Sequence, residues 1–169
     1  MQNTNMVYTL FNALKNISGS DIIVSYSDII YHKSNINKII KDKSDISTLI
    51  DLNWKKIWRK KNKLFLDSES LKIRNNQIIE LGKPTKNINK IDGRYVGIIK
   101  ISKDKLDEIK SFYKILLKKN KKKFEKIDMT NFLNYLLKNK YTIKPINLYG
   151  SWNEYDDFVD LNYNFNKKS

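Results

Sequence analysis

Short β-branched runs alternate with amphipathic stretches along this chain, and the alternation restricts the folds that it can adopt. Residues 21–28 contain Ile22-Ile23-Val24, which predicts a strand buried on both faces, because parallel strands covered on both sides are continuously apolar. Further strands are predicted at residues 47–52, 93–101 and 141–148. Helical spacing of apolar residues predicts helices at residues 6–17, 31–40, 103–119 and 128–138. This order of elements predicts an α/β domain with a mixed sheet and flanking helices.

The middle of the chain, residues 53–92, has a different pattern and predicts a hairpin-rich insertion within one domain of residues 1–169. Asn75-Asn76 separates two strand-like runs, residues 71–74 and 77–81, as in a tight hairpin turn. Another short strand is predicted near residues 63–66. In the first helix, Met6, Leu10, Ala13, Leu14 and Ile17 are expected to form the buried face.

The formal net charge of +15 raises the question of nucleic-acid binding. Only three of the 33 basic residues are Arg, the side chain preferred for bidentate phosphate and base recognition. We therefore attribute the charge to a lysine-rich composition and expect only weak, nonspecific, salt-sensitive binding to nucleic acid, with no specific nucleic-acid partner.

Other classes of site and location are restricted by composition. With no Cys and one His, the chain has no disulfide, thiolate metal site or histidine-rich metal site. No apolar run has the length of a membrane span and no signal peptide is visible, so we expect no membrane partner and a cytoplasmic location.

Two turns rich in carboxylates follow predicted strands: Ser25-Tyr26-Ser27-Asp28 and Gly150-Ser151-Trp152-Asn153-Glu154-Tyr155-Asp156-Asp157. Sites in α/β sheets form at the carboxyl ends of strands. Two converging carboxylates suit Mg²⁺, which takes one or two protein oxygens together with substrate phosphates. The alternative is that Asp28 and Asp156 each cap a following helix.

Six stretches occur in a characteristic order along the chain: residues 4–10, 22–30, 67–69, 93–98, 128–130 and 152–156. Their order resembles the nucleotidyltransferases that act on sugar phosphates and phosphocholine, particularly the phosphocholine cytidylyltransferase-like branch. The resemblance implies a GT-A-like (Rossmann-like) domain. It also implies transfer of a nucleoside monophosphate from a triphosphate such as CTP to a phosphorylated small molecule, with release of pyrophosphate.

The same resemblance assigns roles to individual residues. It implies that Asp28 and Asp156 hold Mg²⁺, the expected cofactor. It also implies that substrate contacts come from Tyr26, Glu69, Gly93, Tyr95, Asp128, Trp152 and Glu154. From the residues alone, Glu69 is equally well a solvated turn residue. Trp54 and Trp58, four residues apart, pack in a core or line a pocket for a cation.

One family feature is missing from the sequence. Family members open with a strand and a glycine-rich loop that ends in a basic residue, and this loop holds the nucleotide phosphates. The sequence has no such loop, so we expect an N-terminally truncated domain that works with a missing half or as a homo-oligomer. The alternative is an inactive fragment, or a basic module that binds nucleic acid or an anionic surface.

Overall fold

A computed structural model describes residues 5–61, 68–155 and 160 of the protein. The strand predicted at residues 63–66 lies outside this part of the chain. So does all but one residue of the segment 156–163, for which the sequence pattern predicts a final helical turn or two. The helices are α1 (Met6–Ala13), α2 (Lys33–Lys41), α3 (Trp54–Lys60), α4 (Lys103–Lys119), α5 (Lys121–Phe124) and α6 (Met129–Lys138). The strands are β1 (Ile22–Ser25), β2 (Ile29–Tyr31), β3 (Ile46–Asp51), β4 (Glu69–Arg74), β5 (Gln77–Pro84), β6 (Arg94–Ile101), β7 (Lys144–Leu148) and β8 (Trp152–Glu154).

Four strands form a central mixed sheet in the order β1-β6-β3-β7. β6 is antiparallel to both of its neighbours, whereas β3 and β7 are parallel. β1, β3 and β7 therefore run in one direction, and their carboxyl ends lie at the same end of the sheet. The α/β class, the mixed sheet and the placement of β1 and β7 in one sheet are confirmed.

The expectation that β1 is buried on both faces of a parallel sheet is wrong. Its partner β6 is antiparallel, and β1 is the edge strand of the central sheet. Its residues alternate between half-buried and exposed, and 38% of the Ile23 surface is exposed. The apolar run is continuous because Ile23, at an exposed position, is apolar, not because both faces are covered.

The first helix is confirmed, but its predicted buried face is right only in part: Leu14 is buried and Leu10 packs against the core, whereas Met6 and Ile17 are exposed. Val7 and Phe11 are buried in α1, whereas Met6 is 43% exposed. The Phe11 ring stacks on Tyr113 of α4 with a centroid separation of 4.4 Å and meets Phe132 of α6 at 5.3 Å. The buried stripe is shifted by one residue because these aromatic contacts bury a larger apolar area than Met6 would.

The segment after β1 forms a short strand that the sequence does not predict. β2 pairs antiparallel with β8, and helix α2 begins only after it. The side chain of His32 caps α2 by accepting a hydrogen bond from the N–H of Ser34. Asp28 is thus not the cap of this helix, and that alternative is wrong.

The predicted hairpin occupies β4 and β5 within residues 53–92, a range that also contains α3. Asn75 and Asn76 have φ values of 50° and 56°, the left-handed conformation that a two-residue hairpin turn of type I′ requires. The hairpin docks on α6 through Asn134, whose side-chain Nδ2 donates to the Leu81 carbonyl. The hairpin is thereby fixed beside the carboxyl end of the sheet.

A helix that spans a membrane needs about 20 predominantly apolar residues. None of the described helices is long and apolar enough to cross a bilayer.

Gly97 lies at an irregularity of β6, where the register with β3 shifts between Thr48 and Ile50. Its φ is +81°, and a Cβ there would lie 2.8 Å from ring carbons of Tyr26. Gly19 has a similar φ of +72° but no atom within 4 Å of an added Cβ.

We expect Gly19→Ala to lower the free energy of unfolding by about 1 kcal/mol, because only the backbone conformation is penalised. Gly97→Ala should lower the free energy of unfolding by about 1–3 kcal/mol more than Gly19→Ala does, since its methyl group also displaces Tyr26. Urea denaturation of both variants measures the difference. Equal losses would show that the Tyr26 ring does not restrict position 97.

Candidate functional site

The first carboxylate-bearing turn and the described part of the second, residues 150–155, lie at the carboxyl end of the sheet. One turn leads from β1 to β2, the other leads from β7 to β8, and β2 pairs with β8. The ladder continues one step further, because the N–H of Tyr155 donates to the carbonyl of Asp28 at 2.9 Å. The two chain segments that the sequence singles out therefore meet, as expected from the common direction of β1 and β7.

A cavity of about 540 Å³ lies beside this meeting point. Six of the nine predicted site residues line it: Tyr26, Glu69, Gly93, Tyr95, Asp128 and Glu154. Its walls come from the turn after β1, the β4–β5 hairpin, β6, β8 and the start of α6. Residues distant in sequence thus share one concave surface.

Tyr26 and Tyr95 form one wall of the cavity. The N–H of Tyr26 donates to the carbonyl of Gly97 at 3.0 Å, and its ring covers Gly97, where any side chain would collide. The two tyrosine rings meet edge to face with centroids 5.8 Å apart. Gly97 therefore has a specific role, because its missing side chain makes the space that the Tyr26 ring occupies.

Burial and nearby negative charge keep both tyrosines protonated. Burial and, to a smaller extent, the charges of Asp128, Glu69 and Glu154 together raise the pKa of Tyr26 to about 12. Burial also raises the pKa of Tyr95 well above its usual value. Both hydroxyls are therefore neutral near pH 7. The Tyr95 oxygen is buried, so only the Tyr26 hydroxyl is available to donate a hydrogen bond to a ligand.

Arg94 brings a basic side chain to the lining of the cavity. Its Nη2 is 3.2 Å from Oε2 of Glu154, and its guanidinium lies 3.9 Å from the centre of the Trp58 ring. Both side chains of the ion pair are largely buried, at 14% and 18% exposure. The ring and the carboxylate together hold the guanidinium in one place.

Asp128 reaches the cavity as the N-cap of α6. Its Oδ1 accepts from the N–H of Asn131 at 2.7 Å and from the hydroxyl of Thr130 at 3.0 Å. Its Oδ2 accepts from the Asn131 side chain at 2.7 Å. The carboxylate adds negative charge to the cavity, while its hydrogen bonds stabilise the start of the helix.

Trp152 is part of the core and does not line the cavity. Only 1% of its surface is exposed, and its ring is 5.7 Å from that of Trp58. Of the two tryptophans considered for a cation pocket, Trp54 lines the cavity, whereas Arg94 already covers the ring of Trp58. Packing thus accounts for Trp58 and Trp152.

Asp28 lines a second cleft of about 330 Å³ on the α1 side of Tyr26. Tyr26 borders both cavities, whereas Asp28 lines only the second cleft and Glu69 and Glu154 line only the first cavity. Asp156, the other predicted metal ligand, lies outside the described residues. Within the described ranges, no group of three or more His, Asp or Glu side chains is arranged to hold a metal ion.

Two important groups are missing from the sequence prediction. Asp51, at the end of β3, is fully buried and accepts a hydrogen bond from the indole of Trp152 at 2.8 Å. Buried Lys61 forms an ion pair with Asp160 at 2.7 Å and donates to the carbonyl of Glu154 at 2.9 Å. Asp51 could have been found by the rule applied to Asp28, since it also follows a strand. The ion pair of Lys61 with Asp160 joins residues far apart in the chain, so no local sequence pattern indicates it.

The raised pKa of Tyr26 has a measurable effect on stability. Between about pH 10 and pH 12 the unfolded chain loses this proton while the folded chain keeps it, so stability falls as the pH rises through this window. The difference in tyrosinate absorbance between the protein and Tyr26→Phe should titrate with a midpoint of about 12. A midpoint near 10 would mean that the Tyr26 hydroxyl is exposed to solvent.

No protein-family model matches the chain. It is 37% identical to the CTP:phosphoglutamine cytidylyltransferase of Campylobacter jejuni subsp. jejuni serotype O:2. The alignment is 174 positions long, and it covers 97% of this chain and 68% of the relative.

Solved structures show the same fold at lower identity. The inositol-1-phosphate CTP transferase from T. maritima superposes with a TM-score of 0.67 and 16% identity over 94% of this chain. The CTP:phosphocholine cytidylyltransferase from Streptococcus pneumoniae superposes with a TM-score of 0.61 and 15% identity over 94% of this chain. The chain spans only 58% and 61% of the lengths of these two proteins. The sequence match over almost the whole chain, on a fold of this kind, shows that the chain belongs to the cytidylyltransferase-like nucleotidyltransferases.

Proposed function

We propose that the protein takes part in the transfer of CMP from CTP to a phosphorylated small molecule, with release of pyrophosphate. The observation that carries this proposal is the meeting of the two carboxylate-bearing turns through β2 and β8 beside a cavity of about 540 Å³. In this reaction an oxygen of the acceptor phosphate attacks the α-phosphorus of CTP, and the bond to pyrophosphate breaks. Such catalysis depends on positioning and on offsetting phosphate charge.

The larger cavity is proposed as the acceptor site. Its volume lies within the roughly 300–1,000 Å³ typical of small-molecule sites. Glu69, Asp128 and Glu154 contribute carboxylates, and Tyr26 contributes a neutral hydroxyl. This lining favours an acceptor whose far end carries a positively charged nitrogen. Phosphocholine and phosphoglutamine, named for two of the relatives, both contain nitrogen groups.

Mg²⁺ is proposed to bind at Asp28 and Asp156. The Asp28 carboxylate lies at an exposed turn that borders the second cleft, and none of its hydrogen bonds within the described residues occupies its side-chain oxygens. One or two carboxylates with substrate phosphates complete the usual coordination of this ion. When bound, the ion would offset the charge of the triphosphate. Asp28 would hold it in the cleft that shares Tyr26 with the acceptor cavity.

The acceptor assignment can be tested at Glu69. We expect Glu69→Gln to raise KM for an amine-bearing acceptor phosphate about ten-fold while KM for CTP changes little, because a charge-assisted contact of about 1.4 kcal/mol is lost. Transfer of labelled CMP to phosphocholine and to phosphoglutamine measures this. Glu80→Gln, on the neighbouring strand but outside the cavity, is the matched control. An equal effect of both substitutions would remove Glu69 from the acceptor site.

The metal assignment can be tested at Asp28. Asp28→Asn should lower Mg²⁺-dependent transfer by about two to three orders of magnitude, as expected when a group that offsets transition-state charge is removed. The assay uses the chain itself and a fusion that adds a glycine-rich phosphate-binding segment ahead of it.

Asp45→Asn, at an exposed carboxylate before β3, is the control for the charge change. Circular dichroism confirms that each variant is folded. Full activity of the Asp28→Asn variant would contradict the role of Asp28.

A further inference from the structure

The turn between β7 and β8 has an unfavourable backbone conformation. Gly150 and Ser151 both have positive φ values, 90° and 61°. A non-glycine residue in this region costs on the order of 1–3 kcal/mol and persists only where the surroundings hold it. Tyr149, just before the turn, is 65% exposed, so its own packing does not provide that hold.

Asp51 holds the turn from the side of β3. Its Oδ1 accepts from the N–H of Gly150 at 3.1 Å and from the N–H of Asn53 at 2.8 Å. Its Oδ2 accepts from the indole nitrogen of Trp152 at 2.8 Å. The residue is fully buried. Burial raises the pKa of the Asp51 carboxyl, and these three donors offset part of the cost of the lost hydration.

Asn35 holds the same turn from the side of α2. Its Nδ2 donates to the carbonyls of Gly150 and Ser151 at 3.2 Å and 2.9 Å, and only 4% of the residue is exposed. The N–H of His32 also donates to the Ser151 carbonyl, at 2.9 Å. The N–H of Gly150 and both carbonyls of the turn are therefore bound by groups from two different elements.

The turn determines where β8 lies, and β8 carries part of the cavity. Trp152 packs on Trp58, and the Trp58 ring supports the Arg94 guanidinium at 3.9 Å. Glu154, two residues further along β8, pairs with Arg94 in the cavity lining. A displacement of the turn would thus move both groups that hold the guanidinium.

We propose that Asp51 is a positioning residue that fixes the β7–β8 turn and, through Trp152 and Glu154, the shape of the acceptor cavity, with Asn35 as its counterpart. The effect on the acceptor rests on the function proposed above. An asparagine at position 51 cannot replace the carboxylate, because its NH₂ group would face one of the donors that Asp51 now binds.

The primary test compares two buried aspartates: Asp51, the last residue of β3, and Asp42, which follows α2 and precedes β3. Asp51→Asn should remove the indole hydrogen bond and raise KM for the acceptor about ten-fold, with KM for CTP little changed. Asp42→Asn is the matched control: Asp42 is also buried and pairs with Lys144 at 2.6 Å, away from the cavity. It should lower stability without changing acceptor KM.

A spectroscopic readout needs no substrate. The indole ¹H–¹⁵N resonance of Trp152, assigned with Trp152→Phe, should move upfield in Asp51→Asn and remain in place in Asp42→Asn. If Asp51→Asn does not fold, Asn35→Ala serves instead, and the amide resonances of Gly150, Ser151 and Trp152 should move.

The outcomes separate the two proposals. An unchanged Trp152 resonance, or an equal rise in acceptor KM in both aspartate variants, would overturn the positioning role. If the Trp152 resonance shifts in Asp51→Asn but the unsubstituted protein transfers no CMP, the positioning role is supported and the proposed function is contradicted.

Discussion

The common direction of β1, β3 and β7 is the constraint on which the site depends. Because these three strands point the same way, the segments that follow them emerge at one end of the sheet. The pairing of β2 with β8 then ties the first and last of these segments together. Tyr26 and Glu154 share a cavity for this reason, although most of the chain separates them. The antiparallel β6 contributes Tyr95 and Arg94 to the same end through its first residues.

Local sequence patterns predict the elements well, because each depends on residues that are neighbours in the chain. Runs such as Ile22-Ile23-Val24 predict strands, and the Asn75-Asn76 pair predicts the hairpin turn that its positive φ values confirm. The rule that sites form at the carboxyl ends of strands also predicts, from the sequence alone, that Tyr26 and Glu154 lie at one edge of the sheet. The resemblance to nucleotidyltransferases agrees with the family that the sequence comparison shows.

The predictions that fail are those that need knowledge of neighbours in space. An apolar run does not reveal how many faces of a strand are covered, so β1 is predicted as buried although Ile23 is exposed. In α1, Met6 and Val7 are both apolar, and only the rings of Tyr113 and Phe132 decide which one faces inward. The contact between Asp51 and Trp152 joins residues 101 positions apart, which leaves no signal in the spacing of either.

The pairings that assemble the site also determine when it can form during synthesis. β3 meets β7 through contacts such as Ser47 with Lys144, and β2 meets β8 through Ile29 with Glu154. Contacts of such long sequence separation must overcome loop-closure entropy before they contribute stability. By contrast, β4 and β5 are joined by a two-residue turn and can pair soon after they leave the ribosome. A nascent chain that ends before β7 already contains Tyr26, Arg94 and Tyr95, but it lacks the strands that bring β8 and its glutamate against them.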